Sequence, residues 1–326
     1  MHSISSHESA QVMIQIQQPL LFSISEYDDF TAEVASELSA SLGAELGKVE
    51  RQTFPDGERY QRLCNDVNER AVVLVGGSVS DQATLNIYDL ACACVKYGAR
   101  RLDLCVPYYG YSTMERAVKS GEVVTAKTRA RLFSAIPPAA HGNHIHLLDL
   151  HSEGIPHYFE GSIMTHHLSA RSLIVQRLSQ INGGDFILAS TDAGRAKQVE
   201  SLANDLKVDA ALIIKRRLSG SKTEIVGVNA HVDGRVVVIY DDMVRTGGSL
   251  IQAAQAYIDA GAREIYAACT HGIFPEGSWE RIQSSNLFQK VIATDSHPMA
   301  NTLAKNGLEI LHTAPIFASA LRMAAS

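Results

Sequence analysis

One pattern occurs twice in this chain. Val72-Val73-Leu74-Val75, a turn cluster, a helical stretch and Gly98-Ala99-Arg100-Arg101-Leu102 recur as Val236-Val237-Val238-Ile239, a loop, a helical stretch and Gly261-Ala262-Arg263-Glu264-Ile265. The two Gly-Ala-Arg segments stand 163 residues apart, half of a 326-residue chain. Either copy alone would be weak; two copies half a chain apart predict a duplicated α/β domain. Further short apolar runs agree. RLDLCVPYY after residue 100, HIHLLDL (144–150), FILAS (186–190), AALIIK (210–215) and VVVIYDDM (236–243) read as strands separated by helical patterns. Apolar strands alternating with helices predict mostly parallel sheets flanked by helices.

The expected division is a loose polar extension over 1–18, one domain over 19–165 and a second over 166–326, whose last helix is free to pack back on the first. A length of 326 residues is ample for two cores. Composition excludes several classes. Hydrophobic residues make up 46% and charged residues 20%, which rules out a disordered chain. The net charge of −6 argues against coating nucleic acid. Neither a secretory leader nor an apolar run near 18 residues is present, so no membrane partner and a cytoplasmic location are expected. The five scattered cysteines read as reduced, with Cys92 and Cys94 as small residues of a buried helix. Seven histidines lie between 141 and 167, but their spacing matches no compact zinc finger. Of these only His151, just after a strand, sits where a ligand would bind; the other six read as surface or satisfied core histidines.

The strongest chemical signal is Val236-Val237-Val238-Ile239-Tyr240-Asp241-Asp242-Met243-Val244-Arg245-Thr246-Gly247-Gly248-Ser249. A buried strand ends in two carboxylates, and a Thr-Gly-Gly-Ser loop then opens a helix. Glycines let backbone N–H groups approach an anion, hydroxyls add donors, and the helix N-terminus is electropositive. Paired carboxylates at a strand end can hold ribose hydroxyls or a hydrated Mg²⁺. A plain βα turn would explain the glycines but not the delivery of Asp-Asp.

This run resembles the signature of the type I phosphoribosyltransferase-like group. Phe54-Pro55-Asp56-Gly57-Glu58, Val106-Pro107-Tyr108-Tyr109-Gly110-Tyr111, Asp149-Leu150-His151, Ile214-Lys215-Arg216-Arg217 and Ala268-Cys269-Thr270-His271-Gly272-Ile273-Phe274 narrow the resemblance to the ribose-phosphate pyrophosphokinase family. The resemblance implies two similar type I phosphoribosyltransferase-like domains and transfer of the β,γ-diphosphoryl group of Mg·ATP to the 1-hydroxyl of ribose 5-phosphate. It implies Mg²⁺ as cofactor and a dimer-based homo-oligomer, up to a hexamer. It places Phe54, Asp56 and Glu58 at the adenine, reaching from a neighbouring subunit. His151 and Asp192 would sit at the Mg²⁺ and triphosphate site, with Asp192 also beside the ribose phosphate. Asp241 and Asp242 would hold the ribose, and Arg245, Thr246, Gly247, Gly248 and Ser249 would line the 5-phosphate cradle. Lys215 and Arg217 match a catalytic flexible loop, and Leu-Ser-Gly-Ser-Lys after them suits a lid over ATP.

The chain also departs from the family pattern. An acidic residue is usual where Arg245 stands. Ser112-Thr113-Met114-Glu115-Arg116-Ala117 replaces Ala-Arg-Gln-Asp-Arg-Lys, removing an Arg-Gln pair that contacts ATP, and Thr191-Asp192-Ala193-Gly194-Arg195 replaces Pro-Asp-x-Gly-Gly. Alternatives to a divergent synthetase therefore stay open. One is a diphosphokinase for a different 5-substituted ribose, and another is a non-catalytic regulatory paralogue. A phosphoribosyltransferase that consumes the pyrophosphate is a last one.

Overall fold

The structure is a computed structural model describing residues 18–219 and 222–325; the side chains of residues 193, 214–219, 222–226 and 324–325 lie outside the description. The loose extension expected over 1–18 falls almost wholly outside the described residues. The first half runs β1 (Leu20–Ser23), α1 (Asp28–Leu42), β2 (Glu45–Leu46), β3 (Val49–Thr53), β4 (Arg59–Leu63), β5 (Ala71–Val75), α2 (Asp81–Lys96), β6 (Arg101–Val106), α3 (Thr125–Ser134), β7 (Asn143–Leu148) and β8 (Met164–Leu168). Then come α4 (Arg171–Leu178), β9 (Ile187–Ser190), α5 (Ala196–Leu206), β10 (Asp209–Ala211), β11 (Ile213–Ser219), β12 (Lys222–Val228) and β13 (Val236–Val244). The chain closes with α6 (Gly248–Asp259), β14 (Glu264–Gly272), α7 (Ser278–Ser284), β15 (Phe288–Thr294), α8 (Pro298–Leu303), β16 (Glu309–Leu311) and α9 (Ala314–Ala325).

The repeat in the sequence is a repeat in topology. The first sheet has the order β2-β1-β5-β6-β7-β8 and the second β10-β9-β13-β14-β15-β16. Every neighbouring pair in both sheets is parallel. Each half also carries one antiparallel hairpin at the same place in the order, β3–β4 and β11–β12. Val72–Val75 in β5 and Val236–Ile239 in β13 are buried, as strands covered on both faces require. Cys94 is buried and Cys92 half-buried in α2.

Three expectations need adjusting. AALIIK is not one strand, because β10 stops at Ala211 and the Leu212 N–H turns to the Asn229 side chain at 2.6 Å. The chain leaves the sheet there to start β11. Lys215, Arg216 and Arg217 therefore lie on a hairpin strand, paired with residues 223–225 of β12, and not in a loop. A division at 165/166 would cut β8, all five residues of which pair with β7.

The halves are joined by more than the linker. Helix α9 packs on α1, where Phe317 meets Phe30 edge-on with ring centroids 5.7 Å apart. Arg322 donates to the Glu37 carbonyl and to Ser41 Oγ. The Tyr27 hydroxyl of the first half donates to the Ser296 carbonyl of the second at 2.8 Å. Among the described residues no helix is long and apolar enough to cross a membrane.

Candidate active site

Strand β13 lies between β9 and β14, so its apolar residues are covered and its C-terminal end delivers Asp241 and Asp242 to a cleft. That cleft, of about 350 Å³, is lined by Thr113, His151, Arg195 and residues 241–250. The loop turns at Gly247, which has φ +74° and caps α6. A Cβ there would come within 2.6 Å of Ile282 Cγ1, so both conformation and space call for glycine. No side chain caps α6, which leaves its first N–H groups facing the cleft for an anion.

The equivalent loop of the first half is closed. Ser80 Oγ accepts the Ala83 N–H at 3.0 Å and caps α2 with the protein's own side chain. The Tyr27 hydroxyl stands 2.1 Å from where a Cβ on Gly77 would be, so this loop is filled from within. Of two loops of common design, only the one with the aspartates is open to a ligand.

The acidic pair meets an arginine and a histidine of the protein itself. Arg195 meets Asp242 Oδ2 at 2.6 Å and Asp241 Oδ1 at 3.8 Å. His151 Nδ1 lies 2.7 Å from Asp242 Oδ2 and 2.5 Å from the Arg195 guanidinium, and it can serve only one of them at a time. Thr191 donates to Asp241 at 2.8 Å. Burial, followed by the neighbouring Asp242, raises the Asp241 carboxyl above the usual carboxylate range. Burial acts the same way on Asp242, but the hydrogen bond from His151 and the Arg195 charge outweigh it and hold that carboxyl low. One acid thus resists ionisation beside one that stays ionised.

Arg245 reaches across the cleft and donates to Thr113 Oγ1 at 2.9 Å. Burial pushes up the phenol of Tyr108, on the same side, and the Arg245 charge partly offsets it. The sequence read Thr113 and Arg195 only as departures; the structure puts both on the cleft wall. His271 and Asp149 also emerge as parts of the seam. His271 is buried, with its ring nitrogens 2.8 Å from Ser296 Oγ and 3.1 Å from the Asp149 carbonyl, and Thr270 Oγ1 donates to Asp149 Oδ2 at 2.9 Å. A signal existed: Asp149-Leu150-His151 follows β7, and Asp295-Ser296-His297 stands at the same place after β15. His151 turns to Asp242 of the second half, while the His297 ring packs 4.9 Å from Tyr108 of the first.

Phe54, Asp56, Glu58 and Asp192 are not among the residues that line the cleft. Phe54, Asp56 and Glu58 occupy the tip of the β3–β4 hairpin, where Asp56 Oδ1 accepts the Glu58 N–H at 3.0 Å and Phe54 is 40% exposed. Asp192 folds its carboxylate onto the Gly194 N–H at 2.8 Å and is not among the lining residues. Lys215 and Arg217 have their backbone in β11, and their side chains lie outside the described residues. Of the other histidines, His146 is 2.9 Å from Asp103, and His144 is 3.0 Å from His166.

Among the described residues no three metal-ligating groups converge in the cleft. Carboxylate oxygens with one imidazole still fit a hard cation that brings phosphate oxygens as its remaining ligands, the usual manner of Mg²⁺.

Two family models match the chain, the N-terminal domain of ribose phosphate pyrophosphokinase over residues 20–136 and the phosphoribosyl synthetase-associated domain over 189–324. A ribose-phosphate pyrophosphokinase of Fusobacterium nucleatum is 31% identical over 294 residues, covering 89% of this chain and 90% of the relative. The chain belongs to the ribose-phosphate pyrophosphokinase family. A Staphylococcus epidermidis relative of the same name is 32% identical, covering 88% of this chain and 89% of the relative. The crystal structure of phosphoribosylpyrophosphate synthetase from Mycobacterium smegmatis superposes with a TM-score of 0.82 at 23% identity, over 94% of this chain and 99% of that one. The duplicated fold is thus the type I phosphoribosyltransferase fold as this family pairs it.

Proposed function

We propose that the chain is a ribose-phosphate diphosphokinase, transferring the β,γ-diphosphoryl group of Mg·ATP to the 1-hydroxyl of ribose 5-phosphate. The observation that carries this reading is the asymmetry between the two equivalent loops. The first-half loop is capped and filled, whereas the second presents an uncapped helix N-terminus beside two aspartates. An anion joined to a polyol fits that pairing, with the 5-phosphate on residues 246–249 and the ribose hydroxyls on Asp241 and Asp242.

The 1-hydroxyl oxygen then bonds to the β-phosphorus as the bond from that phosphorus to the α-phosphate oxygen breaks. AMP leaves with the electron pair, and the hydroxyl proton passes to water. Such a transfer depends on alignment and charge neutralisation more than on a protein nucleophile. Lys215 and Arg217 supply positive charge from the β11–β12 hairpin, and Arg195 and Arg245 supply it from the cleft wall. Bound with the nucleotide, Mg²⁺ neutralises the triphosphate, and His151 and Asp192 are the residues assigned to hold it. Phe54, Asp56 and Glu58 would serve the adenine of a neighbouring subunit in a homo-oligomer, which suits an exposed phenylalanine at a hairpin tip.

The test is release of AMP from Mg·ATP with and without ribose 5-phosphate. AMP formed only with ribose 5-phosphate is the expected result. Release restored solely by another 5-substituted ribose would reassign the acceptor, for which Arg245 beside the phosphate loop is the motive. No release with any ribosyl acceptor would sink the catalytic reading and leave a regulatory paralogue.

A further inference from the structure

We propose that Glu33, Asp295 and His312 form a divalent transition-metal site that clamps the two halves together. It is independent of the reaction above. The three residues come from separate places: Glu33 from α1 of the first half, Asp295 from the end of β15 and His312 from the end of β16. Their ligand atoms all lie within 4.8 Å of one another, with His312 Nδ1 3.0 Å from Glu33 Oε2 and 3.3 Å from Asp295 Oδ2. An ion about 2.0–2.2 Å from nitrogen and oxygen ligands sets neighbouring ligand atoms about 3.0–3.5 Å apart, the spacing that both His312 contacts already have.

The state of Asp295 points to a ligand. The residue is 2% exposed, and its Oδ1 is clamped by the Thr313 N–H at 2.9 Å and the Thr313 hydroxyl at 2.6 Å. Its Oδ2, buried and facing His312, accepts no hydrogen bond. A buried carboxylate oxygen left this way is costly. His312 cannot cure it, because Nδ1 carries at most one proton and Glu33 Oε2 is the nearer acceptor. A divalent cation would satisfy all three groups at once.

The ligand class follows from the donors. One imidazole and two carboxylates suit Zn²⁺, Mn²⁺ or Fe²⁺, whereas Mg²⁺ and Ca²⁺ favour all-oxygen sites. Glu33 and His312 are about half exposed, so an ion can enter from solvent and keep water in its remaining positions. Because Glu33 belongs to the helix on which α9 packs, a bound ion would tie α1 to the ends of β15 and β16 beside that contact.

Calorimetric titration of the metal-stripped full chain with Zn²⁺, in excess Mg²⁺ to mask all-oxygen sites, tests the proposal. Micromolar or tighter binding is expected, weakened at least about tenfold by His312→Ala and by Glu33→Gln. The melting temperature should rise on adding Zn²⁺ to the wild type and stay flat in either variant. Both substitutions are at exposed positions, and should His312→Ala misfold, Glu33→Gln carries the test. No Zn²⁺ binding by the wild type, or equal affinity in the variants, would overturn it.

Discussion

Replacing Arg195 by leucine isolates how the cleft balances its acidic pair. Arg195 lies 2.6 Å from Asp242, whose side chain is 4% exposed, while the arginine itself is 20% exposed. Breaking a fully buried pair costs about 3–5 kcal/mol. Here His151 stays with Asp242 and one side of the cleft is open, so the expected loss at pH 8 is nearer about 2 kcal/mol. In a chain of this size that is a fall in Tm of about 3–6 °C. The sign of the pH dependence follows from the two carboxyls. Asp242 is depressed, so its contribution is present above the ordinary carboxylate pKa and lost as pH falls through its folded value. Asp241 is raised, so its ionised form opposes folding, and that opposition is relieved as pH falls. Without the guanidinium both values rise, and the pair takes up a proton more readily. The gap between wild type and variant should therefore be widest near pH 8 and shrink towards pH 5. Differential scanning fluorimetry across that range measures it. Equal Tm values at pH 8, or a gap that does not change with pH, would refute the idea that Arg195 neutralises the pair.

Lys215→Ala should cut the rate of AMP release by orders of magnitude with little change in equilibrium ATP binding, since a lysine serving the transition state is felt in kcat; near wild-type turnover would remove its role. Gly247→Val should raise the KM for ribose 5-phosphate about tenfold, from backbone strain of about 1–3 kcal/mol and the contact with Ile282. An unchanged KM would place the 5-phosphate elsewhere. Phe317→Ala empties a fully buried position against Phe30 and should cost about 3–5 kcal/mol, read as a fall in Tm; a loss under about 1 kcal/mol would mean that α9 docks weakly. Arg245→Asp should weaken Mg·ATP binding, and adding Thr113→Arg should restore it; no recovery would mean that a guanidinium on either side of this contact does not serve ATP.

Features set by local rules were legible in the sequence. β-branched runs followed by amphipathic helices can bury their apolar faces only in covered parallel sheets, so the pattern gave both sheets and the repeat gave their number. Gly247 needs φ +74°, and a Thr-Gly-Gly-Ser turn after two acids advertises that need from composition alone. What stayed hidden depends on contacts between distant residues. That Asp192 Oδ1 accepts the Gly194 N–H at 2.8 Å is a turn contact that the motif does not report. The resemblance put Lys215 and Arg217 in a flexible loop, yet pairing with β12 makes that stretch a strand. No period or motif reports that Tyr27 fills the first-half loop, since the filling residue is 50 positions from Gly77.

Positions 113 and 245 show the same limit from the opposite side. Read separately, each is a loss: a threonine where the family pattern has arginine, and an arginine where it has an acid. In space they touch at 2.9 Å. The guanidinium here is rooted in the second half, on the loop after β13, and it meets a hydroxyl of the first half. Arg195 adds a second guanidinium where the pattern has glycine, but that charge is already taken up by Asp242. The two arginines are therefore not equivalent: Arg195 is paired with a buried aspartate, whereas Arg245 meets a neutral hydroxyl.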